Sequence, residues 1–140
     1  MPIERTLSII KPDAIKKNLI VEIINIFEKK GLRIVGIKMV RLTKQLAEKF
    51  YQEHSTKPFF GGMIDFMCSS PVVVICLEGE NAIKLNREIM GATDPKQAEE
   101  GTIRGIYGDN IDNNVVHGSD SPQAATREID LFFKKEEVLS

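Results

Sequence analysis

The sequence predicts an α+β fold of the ferredoxin-like, split β-α-β type, with a four-stranded antiparallel sheet and helices packed on one face. Three observations lead there. Branched apolar runs of strand length and stretches of helical period follow one another in the order β-α-β-β-α-β, with extra helical material and a final helix. The 140 residues, 42% of them hydrophobic and 28% charged, suit one core and therefore a single domain over residues 1–140. No internal repeat, low-complexity tract or linker divides the chain.

RTLSII (5–10) reads as the first strand. Lys11-Pro12-Asp13 ends it, because proline cannot donate within a ladder and disfavours helix at the residue before it; a loop or helix start follows. Asn18 is placed to cap a helix whose Leu19, Ile20, Ile23, Ile24 and Phe27 recur at helical spacing, with Lys29 and Lys30 near its end and Gly31 as a left-handed stop. LRIVGIKMVRL (32–42) is a second strand. Thr43 then offers a cap for a helix carrying Leu46, Ala47, Phe50 and Tyr51, and a further helical piece, GGMIDFMCS, follows Pro58.

Ser69-Ser70-Pro71 is a turn, and VVVICLE (72–78) is a continuous apolar run of strand length, expected at the centre of the sheet. Asn81 is placed to cap a helix through Met90, with Ala82, Leu85 and Ile89 on one face and Gly91 as terminator. Residues 91–114 are rich in Gly, Asp, Asn, Thr and Pro and predict a long loop, too large for a simple connection and so a candidate functional segment. VVH (115–117) ends a last strand. Ser121 and Pro122 supply a cap and first turn for a helix with Ala125, Ile129, Phe132 and Phe133 at i, i+4, i+7 and i+8.

A net charge of −1 gives no general field for nucleic acid or anionic membrane, so affinity for an anionic ligand has to be local. MPIERTLSIIKPDA carries charges where a signal peptide needs an apolar core, and no run reaches membrane-spanning length, which points to the cytoplasm. Cys68 and Cys76 lack C-x-x-C spacing, and His54 and His117 are the only histidines, without H-x-x-x-H spacing, so no protein-built metal site is expected. Neither G-x-x-x-x-G-K-[ST] nor G-x-G-x-x-G occurs.

The remaining chemistry lies in scattered polar residues: Lys11, Tyr51, Arg87, Thr93, Arg104, Asn114 and His117. Each has an ordinary structural reading. Lone lysines and arginines are usually solvated, Tyr51 suits a core edge, Thr93-Asp94-Pro95 suits a turn, Asn114 suits a loop, and His117 suits a strand end. Together they carry more. RTLSIIKPDA, FYQEH, KPFF, SPVVVICLEG, NREIMGATDP, GTIRG and, above all, NNVVHGSDS followed by AATREI resemble nucleoside diphosphate kinases over nearly the whole chain. The most specific part is the H-G-S-D-S run with Glu128 nine residues beyond Ser119.

The resemblance implies ping-pong transfer of a terminal phosphoryl group from a nucleoside triphosphate to His117 and on to a nucleoside diphosphate, ribo or deoxyribo. A neutral imidazole can attack phosphorus without a separate base, since its ordinary pKa is about 6.5. By the same resemblance the δ1 nitrogen is phosphorylated and Glu128 bonds the far side of the ring. Lys11, Tyr51, Arg87, Thr93, Arg104 and Asn114 contact phosphates or ribose, with Lys11 and Asn114 also reaching sugar hydroxyls, and Ser119 supports the histidine. Mg2+ is carried on the nucleotide phosphates, so the protein needs no cage for it. Phe59 stacks on the base with Ile111 opposite, which predicts broad base specificity.

Many members of that family read R-G-D-F where this chain has Arg104-Gly105-Ile106-Tyr107, and G-R-N where it has Asp112-Asn113-Asn114. The nucleotide contacts survive these departures, and Asp109 or Asp112 is available for new local pairings. The chain ends at Ser140 without the longer tail of some members, so the homo-oligomer that the family implies is left open between tetramer and hexamer. Two other classes compete: a ferredoxin-like regulatory or nucleic-acid-binding module, and a catalytically silent nucleotide binder. The first is disfavoured because RTLSII and VVVICLE carry no strand aromatics, and the second because the polar set is retained.

Overall fold

The computed structural model describes residues 3–139. Along the chain run β1 (Ile3–Ile10), α1 (Pro12–Lys16), α2 (Ile20–Lys29), β2 (Arg33–Val40), α3 (Lys44–Phe50), α4 (Phe60–Cys68), β3 (Val72–Glu80), α5 (Ala82–Met90), α6 (Ile103–Tyr107), β4 (Val116–Gly118) and α7 (Pro122–Phe132). The strands form one antiparallel sheet in the order β2-β3-β1-β4, the ferredoxin-like arrangement expected, with VVVICLE inside it. Along β1, Ile3 through Ile10 pair with Glu80 through Val73, whereas β4 reaches only from Ser8↔Gly118 to Ile10↔Val116.

Helices cover both faces of this sheet, not one. Leu7, Ile9, Val72, Val74 and Cys76 pack with Ala47, Phe50, Ile64, Met67 and Phe132 from α3, α4 and α7. On the other face Ile10, Val73, Ile75 and Leu77 pack with Ile23, Phe27, Ile89 and Met90 from α2 and α5. The physical reason lies in the unbroken run VVVICL: a strand covered on one side alternates apolar and polar residues, and this one does not.

Thr43 and Ser121 cap their helices as expected, each oxygen accepting from the backbone N–H three residues on at 3.1 Å. The two asparagines behave differently. Asn18 and Asn81 adopt left-handed φ values of 60° and 51°, and neither side chain caps a helix. Asparagine tolerates that conformation better than other residues with a Cβ, so it serves the bend instead. The N–H of Ile83 in α5 donates instead to Glu4 Oε1 on β1, at 2.9 Å. Residues 91–114 are also more ordered in form than a long loop. They hold a 3-10 turn (Pro95–Gln97) capped by Asp94 and the five-residue α6 capped by Thr102, pieces too short to show a helical period.

Candidate active site

His117 sits in the middle of β4 opposite Ile9, which places its ring on the sheet face covered by α3 and α7. Its Nε2 lies 2.9 Å from Glu128 Oε1, and its ring meets Phe50 edge-on with centroids 4.8 Å apart. Ser119 Oγ donates to the same Glu128 oxygen at 2.8 Å and accepts from Leu7 N at 3.3 Å, which ties the carboxylate to β1. A carboxylate accepts and cannot donate, so the bond assigns the proton to Nε2 and leaves the lone pair on Nδ1. No described residue hydrogen-bonds Nδ1, and the His117 side chain is 24% exposed.

Glu128 is only 4% exposed. Burial pushes its carboxyl up, but the hydrogen bond and charge of His117, the Ser119 hydroxyl and Arg127 outweigh it and hold the group below its ordinary value. Arg127 Nη2 stands 3.6 Å from the second oxygen and 3.1 Å from Glu53. Tyr51 is buried with its ring edge-on to Phe50. Burial, and then the charge of Glu128, raise its phenol, so it stays a donor.

A second group forms around Asn114. Lys11 Nζ donates to Asn114 Oδ1 at 2.8 Å, and Asn114 Nδ2 donates to the carbonyl of Thr93 at 3.0 Å. Arg104, 5% exposed, directs three of its five N–H groups at main-chain carbonyls: Nε on Asn114 at 3.3 Å, Nη1 on Gly91 at 3.0 Å and Nη2 on Val116 at 2.8 Å. Its pKa drops to about 10 through burial and then through the charge of Arg87, so it remains a cation at neutral pH. Burial lowers Lys11 to about 8; Asp13 and Asp112 pull it up and Arg104 pushes it down. Arg87 and Thr93 are exposed and line one depression beside Gly91 and Thr102.

Beyond Lys11 opens a cleft of about 720 Å³. Phe59 and Ile111, 52% and 57% exposed, stand in its walls with Met63, Phe66 and Asp112. Lys11 Nζ lies 5.7 Å from the Phe66 ring, so the apolar wall runs up to the cation. Lys11, Thr93, Arg104 and Asn114 are therefore hydrogen-bonded into one group, while His117, Ser119 and Glu128 form another. The two meet at the backbone of β4, where Arg104 holds the carbonyl of Val116 next to His117. No hydrogen bond or ion pair among the described residues joins the His117 ring to the cations.

Nothing in the sequence marks Phe50, Phe66, Arg127 or Asp13 as functional. The first two look like core residues at helical spacing, and Arg127 looks like a surface charge; only the burial of Asp13 immediately after Lys11-Pro12 breaks a simple rule. Among the departures, Asp109 pairs with Lys17 at 2.8 Å, and Asn110 Oδ1 accepts from the N–H groups of Asp112 and Asn113. Ile106 is half exposed on α6. Among the described residues no cluster of three or more His, Cys, Asp or Glu could hold a metal ion, and no helix is long and apolar enough to cross a membrane.

Residues 4–138 match the family model described as nucleoside diphosphate kinase. The nucleoside diphosphate kinase of Bdellovibrio bacteriovorus is 56% identical over 138 residues, covering 99% of this chain and 98% of the relative. That of Halorhodospira halophila is 56% identical over 140 residues, covering 100% and 99%. Among solved structures, the nucleoside diphosphate kinase of Aquifex aeolicus superposes with a TM-score of 0.97 at 42% identity, covering 99% of this chain and 100% of that one. The Halobacterium salinarum enzyme, solved in complex with CDP, gives 0.96 at 43%, covering 99% and 93%. Fold and relatives together define a phosphotransferase. The chain belongs to the nucleoside diphosphate kinase family.

Proposed function

We propose that this enzyme works by ping-pong transfer through a phosphohistidine on Nδ1 of His117. The observation that carries the reading is the buried Glu128 carboxylate on Nε2, which leaves the opposite nitrogen with its lone pair uncommitted. In the first half-reaction Nδ1 attacks the terminal phosphorus of a nucleoside triphosphate. The N–P bond forms as the bond from phosphorus to the bridging oxygen breaks, and the diphosphate leaves with that electron pair. The ring becomes cationic, and Glu128 offsets the charge without taking the proton. The second half-reaction is the reverse, onto a different nucleoside diphosphate.

Phosphoryl transfer has a loose, charge-spread transition state and depends on alignment and electrostatics. Lys11, Arg87 and Arg104, with Tyr51, Thr93 and Asn114, supply donors for phosphate and ribose oxygens. Those donors are cationic or neutral and suit phosphate oxygens better than a bare metal. Mg2+ would be held by the nucleotide phosphates and, when bound, would neutralise part of their charge. Triphosphate labelled on its terminal phosphate should leave an acid-labile label on the protein that any nucleoside diphosphate removes. If the wild type takes no label, or His117→Ala takes as much as wild type, the mechanism is wrong.

Phe59 and Ile111 bracket the base in the cleft, and stacking on a π-face common to all bases makes the enzyme tolerant of base identity. Because Phe59 is half exposed, Phe59→Ala should leave folding stability within about 0.5 kcal/mol. It should raise KM roughly 5- to 100-fold, alike for purines and pyrimidines, with kcat little changed. Steady-state kinetics with one purine and one pyrimidine diphosphate would show it, and a loss confined to one base class would refute shared stacking.

Lys11 gives the reaction an alkaline limit. Its ammonium, at about 8 in the free enzyme, loses the charge that meets phosphate as pH rises, so kcat/KM should fall through that pH. Lys11→Arg keeps its charge and should flatten the limb. A limb that persists unchanged in the variant would assign it to another group. We further infer a single-domain, cytoplasmic homo-oligomer, tetramer or hexamer, which sedimentation equilibrium would distinguish.

A further inference from the structure

Among the described residues three non-glycine positions have a positive φ, and two of them are asparagines. The third is Val115, at 65°. A β-branched side chain resists that conformation, and here the side chain is fully buried and cannot relax into solvent. Val116 N donates to the carbonyl of Asn114 at 2.8 Å, so residues 114–116 form a γ-turn of the rarer, positive-φ kind centred on Val115.

Both main-chain groups of Val115 are held from the junction between β1 and α1. Its N–H donates to Asp13 Oδ2 at 3.0 Å, and its carbonyl accepts from Lys11 N at 2.9 Å. The turn stands where the two halves of the site join. In an unbroken strand, positions 114 and 117 would project to opposite faces. The bend at Val115 breaks that alternation: Asn114 meets Lys11, Thr93 and Arg104, and His117 continues onto the face of Glu128.

We propose that Asp13 is a positioning residue for phosphoryl transfer, whose carboxylate clamps the Val115 turn and thereby fixes Asn114 and His117 relative to each other. Asp13 is 8% exposed, and its other oxygen, Oδ1, has no hydrogen-bond partner. The clamp thus uses one accepting oxygen, which an amide can replace. The inference rests on the His117 reading given above, and its test keeps the two apart, since wild-type labelling checks that reading first.

Asp13→Ala should lower kcat about 10- to 100-fold and slow labelling of His117 in step, the penalty expected for a displacement of about 1 Å. Assayed well below pH 8, where Lys11 stays charged without the pull of Asp13, Asp13→Asn keeps an acceptor and should stay within about 3-fold of wild type. The deciding variant adds Val115→Gly to Asp13→Ala. Glycine adopts the positive φ unaided, so the pair should recover at least about 5-fold in kcat over Asp13→Ala alone, even as it melts at a lower temperature for lack of the buried valine. A merely structural Asp13 would make the two losses multiply.

Wild-type kcat in Asp13→Ala, a fall in Asp13→Asn as deep as in Asp13→Ala, or multiplied losses in the double variant would each overturn the proposal. Should Asp13→Ala not fold, Asp13→Asn and the double variant decide it: near-wild-type turnover in the first with turnover in the second supports the clamp, and a folded but inactive protein in either case overturns it. A wild type that takes no label would instead defeat the His117 reading.

Discussion

His117→Ala should abolish turnover, with kcat down on the order of 10⁵-fold or more, because the variant has no other group placed to accept the phosphoryl. Glu128→Gln should be milder, roughly 10²- to 10³-fold, since the amide oxygen still accepts from Nε2 but no longer offsets the ring's charge. Rapid-quench measurement of the first half-reaction would separate the two variants. The alanine also changes how stability follows pH. In the wild type, burial pushes Glu128 up, but His117, Ser119 and Arg127 together hold it below its ordinary value. A depressed carboxyl contributes stability above the unfolded pKa and loses it as pH falls through the folded one. With His117 removed, two of the opposing influences vanish and burial weighs more. Urea unfolding between about pH 3.5 and 6 should therefore show wild type gaining stability with pH and His117→Ala gaining less or losing. Equal slopes would mean that the imidazole does little to keep Glu128 charged.

The second large effect falls on stability and binding together. Arg104→Ala should cost about 3–5 kcal/mol in urea unfolding and raise KM for every nucleotide, because it strips donors from three buried or half-buried carbonyls and empties a packed site. Arg104→Lys should not repair it, since one ammonium cannot span the carbonyls of Gly91, Asn114 and Val116 as the planar fork does. In the free protein this guanidinium has no carboxylate partner among the described residues. If a bound diphosphate supplies the missing anion, as proposed, nucleotide should raise the melting temperature of wild type more than that of Arg104→Lys. A lysine variant as stable as wild type would place the stapling elsewhere.

How much of this was legible in the sequence depends on how local each cause is. Thr43, Ser121 and Gly31 declare themselves because a cap or stop involves residues three or four apart. Asn18 and Asn81 do not, since one residue type serves both a cap and a left-handed bend, and only the incoming Glu4 shows which need is met at α5. The two-sided burial of the sheet was present in VVVICL and outweighs the one-sided arrangement drawn from element order. His117 and Glu128 stand out through their motif, and their contact follows once β4 and α7 pack on the same face. The clamp on Val115 was beyond reach, because its partner lies 102 residues away and the sign of φ is set by that tertiary contact. The gathering of Lys11, Thr93, Arg104 and Asn114 was likewise implied by resemblance alone until the fold placed them together.

β1 does more than fill the middle of the sheet. Leu7 ties down Ser119, Ile9 faces His117, and Lys11 leaves at its end, so the strand spaces the groups proposed to act on phosphate as a ruler does. A ruler cannot gain or lose a mark. One residue inserted between 7 and 11 would carry either His117 or Lys11 to the wrong side, and the tight fit of Gly118 under Asn86 and Met90 leaves no room to absorb the slip. Length changes in this chain should therefore be survivable around residues 96–101 and lethal to turnover in β1, a pattern that a scan of single-residue insertions and deletions would expose directly.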